Sequence, residues 1–150
     1  MIINNKEVAT RIRLGIMMFT LVYLALIVLS LIYNFSKNHM IEIISTIIFA
    51  IVAILFFMRK YCYIFYNNEA SKIILRYMPL QPLSSGNYSI EIPKKDFVKF
   101  EVKKSALGLR ESVIMYVRTP NGIAKFKPVS LSSLKKREKQ DLIASLDSML

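Results

Sequence analysis

The chain is poor in the residues that most chemistry needs: one cysteine, one histidine, four glycines and no tryptophan among 150 residues. A lone Cys62 excludes an internal disulfide and a thiolate metal cluster, so stability must come from packing. A lone His39, placed outside the polar half of the chain, cannot complete a Ser-His-Asp triad there. No Walker-type phosphate loop, dinucleotide-binding glycine motif or His-Glu-x-x-His string occurs, and the carboxylates are scattered among lysines without a spacing that singles out an acid-base pair. These absences predict a protein that is not an enzyme and has no catalytic residue, cofactor, metal or small-molecule substrate. Acidic residues are also few, 10 against 21 Lys and Arg, for a net charge of +11.

Hydrophobic residues make up 54% of the chain and are concentrated before residue 60; soluble domains average ~45–50%. Leu14 to Tyr33 contains no charge over 20 residues, and at ~1.5 Å per residue it covers about 30 Å, the thickness of a hydrocarbon core. Ile41 to Met58 is a second such run whose one charge is Glu42, near its start. The apolar residues go all the way round both, whereas a soluble amphipathic helix keeps a wet stripe. Both are expected to span a membrane as antiparallel neighbours, because only Asn34–Met40 separates them. Lys6, Arg11 and Arg13 precede the pair, Arg59 and Lys60 follow it, and Lys37 is the one firm charge between; that bias puts both termini in the cytoplasm of a multi-pass inner (plasma) membrane protein. A cleaved signal peptide is the weaker reading, since the first run exceeds the ~7–15 residues of an h-region and lacks a small-x-small site after it.

Thr46, Ala50 and Ala53 lie four and three residues apart, a spacing that places small residues on one face for helix packing, within the hairpin or in a homo-oligomer. Glu42 reads as an end anchor in the head-group layer rather than an ion site. The sequon Asn34-Phe35-Ser36 hugs the bilayer and is discounted. Cys62, beside the membrane, is better explained as a small buried hydrophobe than as a lipidation site.

From Tyr61 onward the pattern changes to short β-branched and aromatic runs bounded by turn residues. Strands are expected at Tyr61–Tyr66, Lys72–Met78, Tyr88–Ile92, Phe97–Lys103, Ser112–Arg118 and Ile123–Lys127, with Pro79–Asn87 as loop. Along Phe97–Lys103, Val98, Phe100 and Val102 alternate with Lys99, Glu101 and Lys103, so one face is expected dry and one wet. Thr119-Pro120-Asn121-Gly122 is the strongest hairpin signal. Leu131, Leu134, Leu142, Leu146 and Met149 recur at helical spacing, so a helix over about 131–149, capped by Ser130 or Ser132, closes the chain with its apolar stripe on the sheet. The reading is therefore an α+β membrane protein: residues 1–60 a helical hairpin, with spans at about 14–33 and 41–58, and 61–150 a cytoplasmic antiparallel β-rich domain with a C-terminal amphipathic helix.

In the run IVAILFFMRKYCYIFY from membrane into strand, the TPNG hairpin and the passage KPVSLSSLKKREKQDLIASL from last strand to terminal helix, the chain resembles small bacterial membrane proteins that carry a pleckstrin-homology-like domain after two transmembrane helices. The resemblance covers nearly the whole chain and implies a partial or closed barrel; that fold places seven strands before its helix, and six are read here. It implies an interaction module, an accessory or structural subunit whose partner is another membrane protein or a second copy.

Residues from Tyr61 carry 15 basic and 8 acidic side chains, 15 − 8 = +7. Such a field attracts anions, and the adjacent membrane favours lipid over nucleic acid; aromatics such as Tyr88, Phe97 and Phe126 are explained by a core. The clusters Arg59-Lys60, Lys94-Lys95, Lys103-Lys104 and Lys135-Lys136-Arg137 are thus candidates for anionic-lipid contact, weighed against ordinary solvated charge. Arg59, Lys60, Lys94, Lys95, Lys135, Lys136 and Arg137 are the residues favoured.

Overall fold

The computed structural model describes residues 1–33, 39–81 and 86–150; the expected sequon, most of the interhelical loop and the middle of the Pro79–Asn87 loop lie outside them. Two long helices, α1 (Lys6–Tyr33) and α2 (Met40–Arg59), are followed by antiparallel sheets and a C-terminal helix, α3 (Lys136–Asp147). Both α1 and α2 are long and apolar enough to cross a membrane, and their most apolar windows are only 6% and 0% buried. Neither is therefore a core helix of the sheet domain.

The strands are β1 (Ile2–Asn4), β2 (Cys62–Asn67), β3 (Lys72–Pro79), β4 (Tyr88–Pro93), β5 (Phe97–Ser105), β6 (Arg110–Thr119), β7 (Gly122–Lys125) and β8 (Val129–Ser130). One sheet has the order β1-β2-β3-β4; in the other, β6 pairs with β5, β7 and β8. Alternate residues of β2 and β3 (Cys62, Ile64, Tyr66; Ile73, Leu75) meet Ile90, Ile92, Val113, Met115 and Val129 in one core. Leu131, Leu134, Leu142 and Leu146 close it from the C-terminal side. Fully burying a side chain of this size stabilises by ~1.5–3 kcal/mol, so the eleven apolar side chains here that are under 2% exposed make this core the main source of cohesion in a protein without an internal disulfide.

Several expectations are refined. Ile2–Asn4, which fall inside the 1–60 helical hairpin expected from the sequence, form a strand that pairs Ile3 with Tyr66 and Asn4 with Phe65. Among the described residues the seventh strand between α2 and α3 is the two-residue β8, pairing Ser112 with Ser130. The terminal helix starts at Lys136, not near 131, because Leu131 N–H donates to Glu111 C=O at 2.7 Å and holds that stretch on β6. Ser130 does not cap it; Lys135 N–H instead donates to Glu138 Oε2 at 2.8 Å, half of a capping box. Val102 faces the same way as its partner Val113 but is 39% exposed, since β5 is an edge strand with no neighbour on its far side among the described residues. In the TPNG turn the positive φ falls on Gly122 (121°), with Pro120 and Asn121 in the turn and Thr119 Oγ1 donating to Gly122 C=O at 2.7 Å.

Asn5, 1% exposed, joins the parts. Its backbone C=O leaves the sheet to accept the first helical bond, from Ala9 N–H at 2.9 Å. Its side-chain Oδ1 takes over the vacated ladder position, accepting from Ile64 N–H at 2.7 Å, while Asn5 N–H donates to Ile64 C=O at 3.2 Å. Its Nδ2 donates to Cys62 C=O at 3.2 Å and Ser133 Oγ at 2.9 Å, and Ser133 Oγ also donates to Cys62 C=O. One amide thus lets a strand become a helix without orphaning a buried donor. Replacing it strands Ile64 N–H in the core, at a cost of ~1–3 kcal/mol per unsatisfied group. Asn5→Ala is expected to lose about 2–4 kcal/mol in denaturant unfolding of the detergent-solubilised protein; a loss below about 0.5 kcal/mol contradicts this role.

Candidate functional site at the junction of helices and sheets

The helices meet the sheets without a linker. Lys60, at φ 46°, turns the chain out of α2, and β2 begins two residues later. The last carbonyls of a helix have no intrahelical donor, and here the sheet domain supplies two: Gln81 Nε2 to Phe57 C=O at 3.3 Å and Ser130 Oγ to Arg59 C=O at 3.1 Å. Leu80 N–H donates to Tyr61 C=O at 2.9 Å. α1 leaves the domain beside this point, its Lys6–Arg13 segment lying over Tyr63, Met78 and Leu80. Those eight residues cover about 12 Å at ~1.5 Å each, so the Leu14–Tyr33 run starts well clear of Asn5 and level with the end of α2.

Between the helices the seam on α1 is Ile12, Ile16, Phe19, Tyr23, Ile27 and Ser30, the less exposed positions at helical period. Opposite it, Phe49 stacks on Tyr23 (centroids 4.1 Å apart) and on Phe19 (5.6 Å). Thr46 Oγ1 lies 3.2 Å from Tyr23 Oη, and Ala53 lines an apolar cavity of about 510 Å³ with Gly15, Phe19 and Phe56. Two of the three small residues are therefore on the intramolecular seam, while Ala50 is exposed and Phe49 holds the intervening place. Aromatic rings fill this contact, which close backbone approach would not permit. At the other end Ser30 Oγ donates to Glu42 Oε1 at 2.6 Å, tying the helices together.

The ladder register sorts the basic clusters. Arg59 and Lys60 sit at the end of α2, and Lys135, Lys136 and Arg137 start two residues past Ser133, which is bonded to Cys62; the two clusters share the junction end. Lys94 and Lys95 follow β4, where Pro93 is opposite Lys72 and Lys94 N–H donates to Ser71 C=O at 3.0 Å. Since Pro79 is opposite Cys62, seven steps of β3 at ~3.3 Å put this pair roughly 23 Å along the sheet from the junction. Lys103 and Lys104 return to the junction end, because they pair with Ser112 and Glu111 beside β8. Arg110, which the sequence reading did not single out, joins Lys60, Tyr61, Cys62, Ser112 and Ser130 around a cavity of about 220 Å³.

α3 is not free to offer its apolar stripe to a partner, since Leu142 and Leu146 are buried. It is pinned along its length: Lys139 Nζ to Glu111 Oε2 at 2.9 Å, Tyr66 Oη to Ser145 Oγ at 2.8 Å and Asn68 Nδ2 to Ser145 Oγ at 2.6 Å. Lys139 holds the Glu111 carboxyl below the usual carboxylate range. The outer face of the first sheet stays open, with a groove of about 640 Å³ whose lining includes Tyr63, Phe65, Arg76, Met78 and Glu91; Tyr77 and Tyr88, stacked with ring centroids 5.1 Å apart, are opposite one another on the core side of the same sheet, near its end. The β7 edge is exposed throughout.

Among the described residues no three His, Cys, Asp or Glu side chains converge as a metal site. Burial pushes the Cys62 thiol up to about 11, against weaker pulls from Ser130, Lys60 and Arg110, so it is neither a nucleophile nor a ready ligand at neutral pH. The chain matches no family model, no curated protein and no solved structure.

At pH 8 an ordinary thiol of pKa ~8.5 is about a quarter ionised and one of ~11 about a thousandth. Alkylation of folded Cys62 by iodoacetamide is therefore expected to be at least about a hundredfold slower than after denaturation. The raised value also means that the thiol's contribution to stability is complete below about pH 8.5 and is lost as pH rises through about 11. Equal alkylation rates folded and unfolded contradict the assignment.

Proposed function

We propose that this is a non-enzymatic integral membrane protein, with α1 and α2 crossing the bilayer, both termini in the cytoplasm, and the sheet domain acting as a pleckstrin-homology-like interaction module. It serves as an accessory or structural subunit of a membrane protein assembly, in which the partner is another membrane protein or a second copy. The capping of α2 by Gln81 and Ser130 supports this reading most directly: a domain bonded to the helix ends has a set height and orientation, which suits a docking platform more than a tethered reporter. The seven strands between α2 and α3 among the described residues agree with the family resemblance, and the Tyr63–Phe65 groove and the β7 edge are surfaces left for protein contact.

A second reading, contact with anionic lipid, is favoured by one observation: Arg59, Lys60 and Lys135–Arg137 share the junction end, where each basic side chain near the surface contributes ~1 kcal/mol. Lys94 and Lys95 drop out of it by position.

Purification of the full chain from native membranes in mild detergent distinguishes the two. A stoichiometric partner or a defined homo-oligomer that is lost in Tyr63→Asp/Phe65→Asp supports the subunit reading, and a lone monomer refutes it. The lipid reading instead requires that Lys135→Glu/Lys136→Glu weaken enrichment of anionic lipid around the nanodisc-embedded protein severalfold while Lys94→Glu/Lys95→Glu leave it unchanged.

A further inference from the structure

The longest hairpin of the second sheet ends in a turn that presents an apolar residue to solvent. Leu109 N–H donates to Ala106 C=O at 3.0 Å and closes it. Ala106 and Leu107 lie at φ 54° and 55°, followed by Gly108 at 84°, a left-handed run that side chains other than glycine rarely adopt. The outcome is Leu107 at 98% exposure, more than any other large apolar side chain among the described residues. Basic residues surround it: Lys103 and Lys104 on the incoming strand and Arg110 on the outgoing one, where Arg110 Nε donates to Ser105 Oγ at 2.9 Å. One acid, Glu111, is near, but Lys139 already pairs it at 2.9 Å, with Lys104 farther away at 3.8 Å. The turn is also at the junction end. Arg110 shares a cavity with Lys60, and Ser112 is opposite Ser130, which is bonded to the last turn of α2; Leu107 is three residues from Arg110, within about 10 Å at ~3.3 Å per residue.

From this we infer that the β5–β6 turn is a membrane-contact site that dips Leu107 into the head-group layer of the leaflet α2 leaves, with Lys103, Lys104 and Arg110 around it taking anionic phospholipid head groups. The inference rests on the transmembrane reading of α1 and α2 and adds a third point of attachment, away from the helices. An apolar tip ringed by cations matches an interface that is apolar beneath and anionic above. A soluble partner is the competing occupant, and the test separates it.

The absence of tryptophan allows a single reporter. The full chain carrying Leu107→Trp is placed in nanodiscs of phosphatidylcholine, with and without about a third phosphatidylglycerol, in ordinary and brominated forms. Ile123→Trp, on the exposed β7 edge, and Leu26→Trp, within α1, serve as controls. The Leu107→Trp protein is expected to emit blue-shifted and to be quenched by brominated lipid, more so with phosphatidylglycerol, and the quenching is expected to fall at least twofold when Lys103 and Lys104 are changed to Glu; emission of the Ile123→Trp protein is expected to be unaffected by the lipid. Water-like emission from Leu107→Trp, or blue-shifted emission without bromine quenching as in a protein contact, overturns the inference. If the Leu26→Trp control too escapes quenching, the transmembrane reading fails; if that control is quenched and Leu107→Trp is not, only the hairpin contact fails.

Discussion

The structure depends on a change of direction at Asn5. A β-strand exposes its carbonyl to a neighbouring strand, and an α-helix turns that carbonyl along its own axis; a residue serving both leaves a buried amide unsatisfied unless something replaces it. The Asn5 side chain does so, giving its Oδ1 to Ile64 N–H at 2.7 Å and its Nδ2 to Cys62 C=O and Ser133 Oγ. The N-terminal strand, the first long helix, the central strand and the approach to the last helix therefore meet at one side chain. With α2 capped by Gln81 and Ser130 on the other side, both long helices are bonded to the sheet domain, and Ser133 ties the approach to α3 to the same junction.

That arrangement explains how a domain of about 90 residues, residues 61–150, holds together without an internal disulfide. Its first sheet gains an edge strand from the N-terminus, its core is closed by Leu131, Leu134, Leu142 and Leu146, and three polar contacts pin α3 along its length. The apolar outer surface of α1 and α2 is the part of the molecule this domain does not cover.

Much of this was legible in one dimension. The two long apolar runs, six strands and a closing helix follow from periodicity and turn chemistry, because those signals are local and repeat over many residues. β1 and β8 escaped because strands of three and two residues carry no readable period, and Ile2–Asn4 sits beside basic residues that fit a membrane flank equally well. The early start expected for α3 arose because Leu131 and Leu134 fall at helical spacing by coincidence, while the bond from Leu131 N–H to Glu111 C=O and that from Ser133 Oγ to Cys62 C=O hold the stretch on the sheet. Four basic clusters look alike in sequence; only the ladder register separates Lys94 and Lys95 from the rest. The exposure of Leu107 has no sequence signal at all, since a leucine between strands is more often core.

If the helices and sheets form one unit, their relative geometry is fixed. Spin labels at Tyr33, on the far end of α1, and at Lys72, on the far end of the first sheet, report it in the full chain in lipid nanodiscs by pulsed electron double resonance. The account predicts a single narrow distance distribution, no broader than the labels' own rotamers allow; a broad or multimodal distribution, as from a domain swinging on a tether, contradicts it.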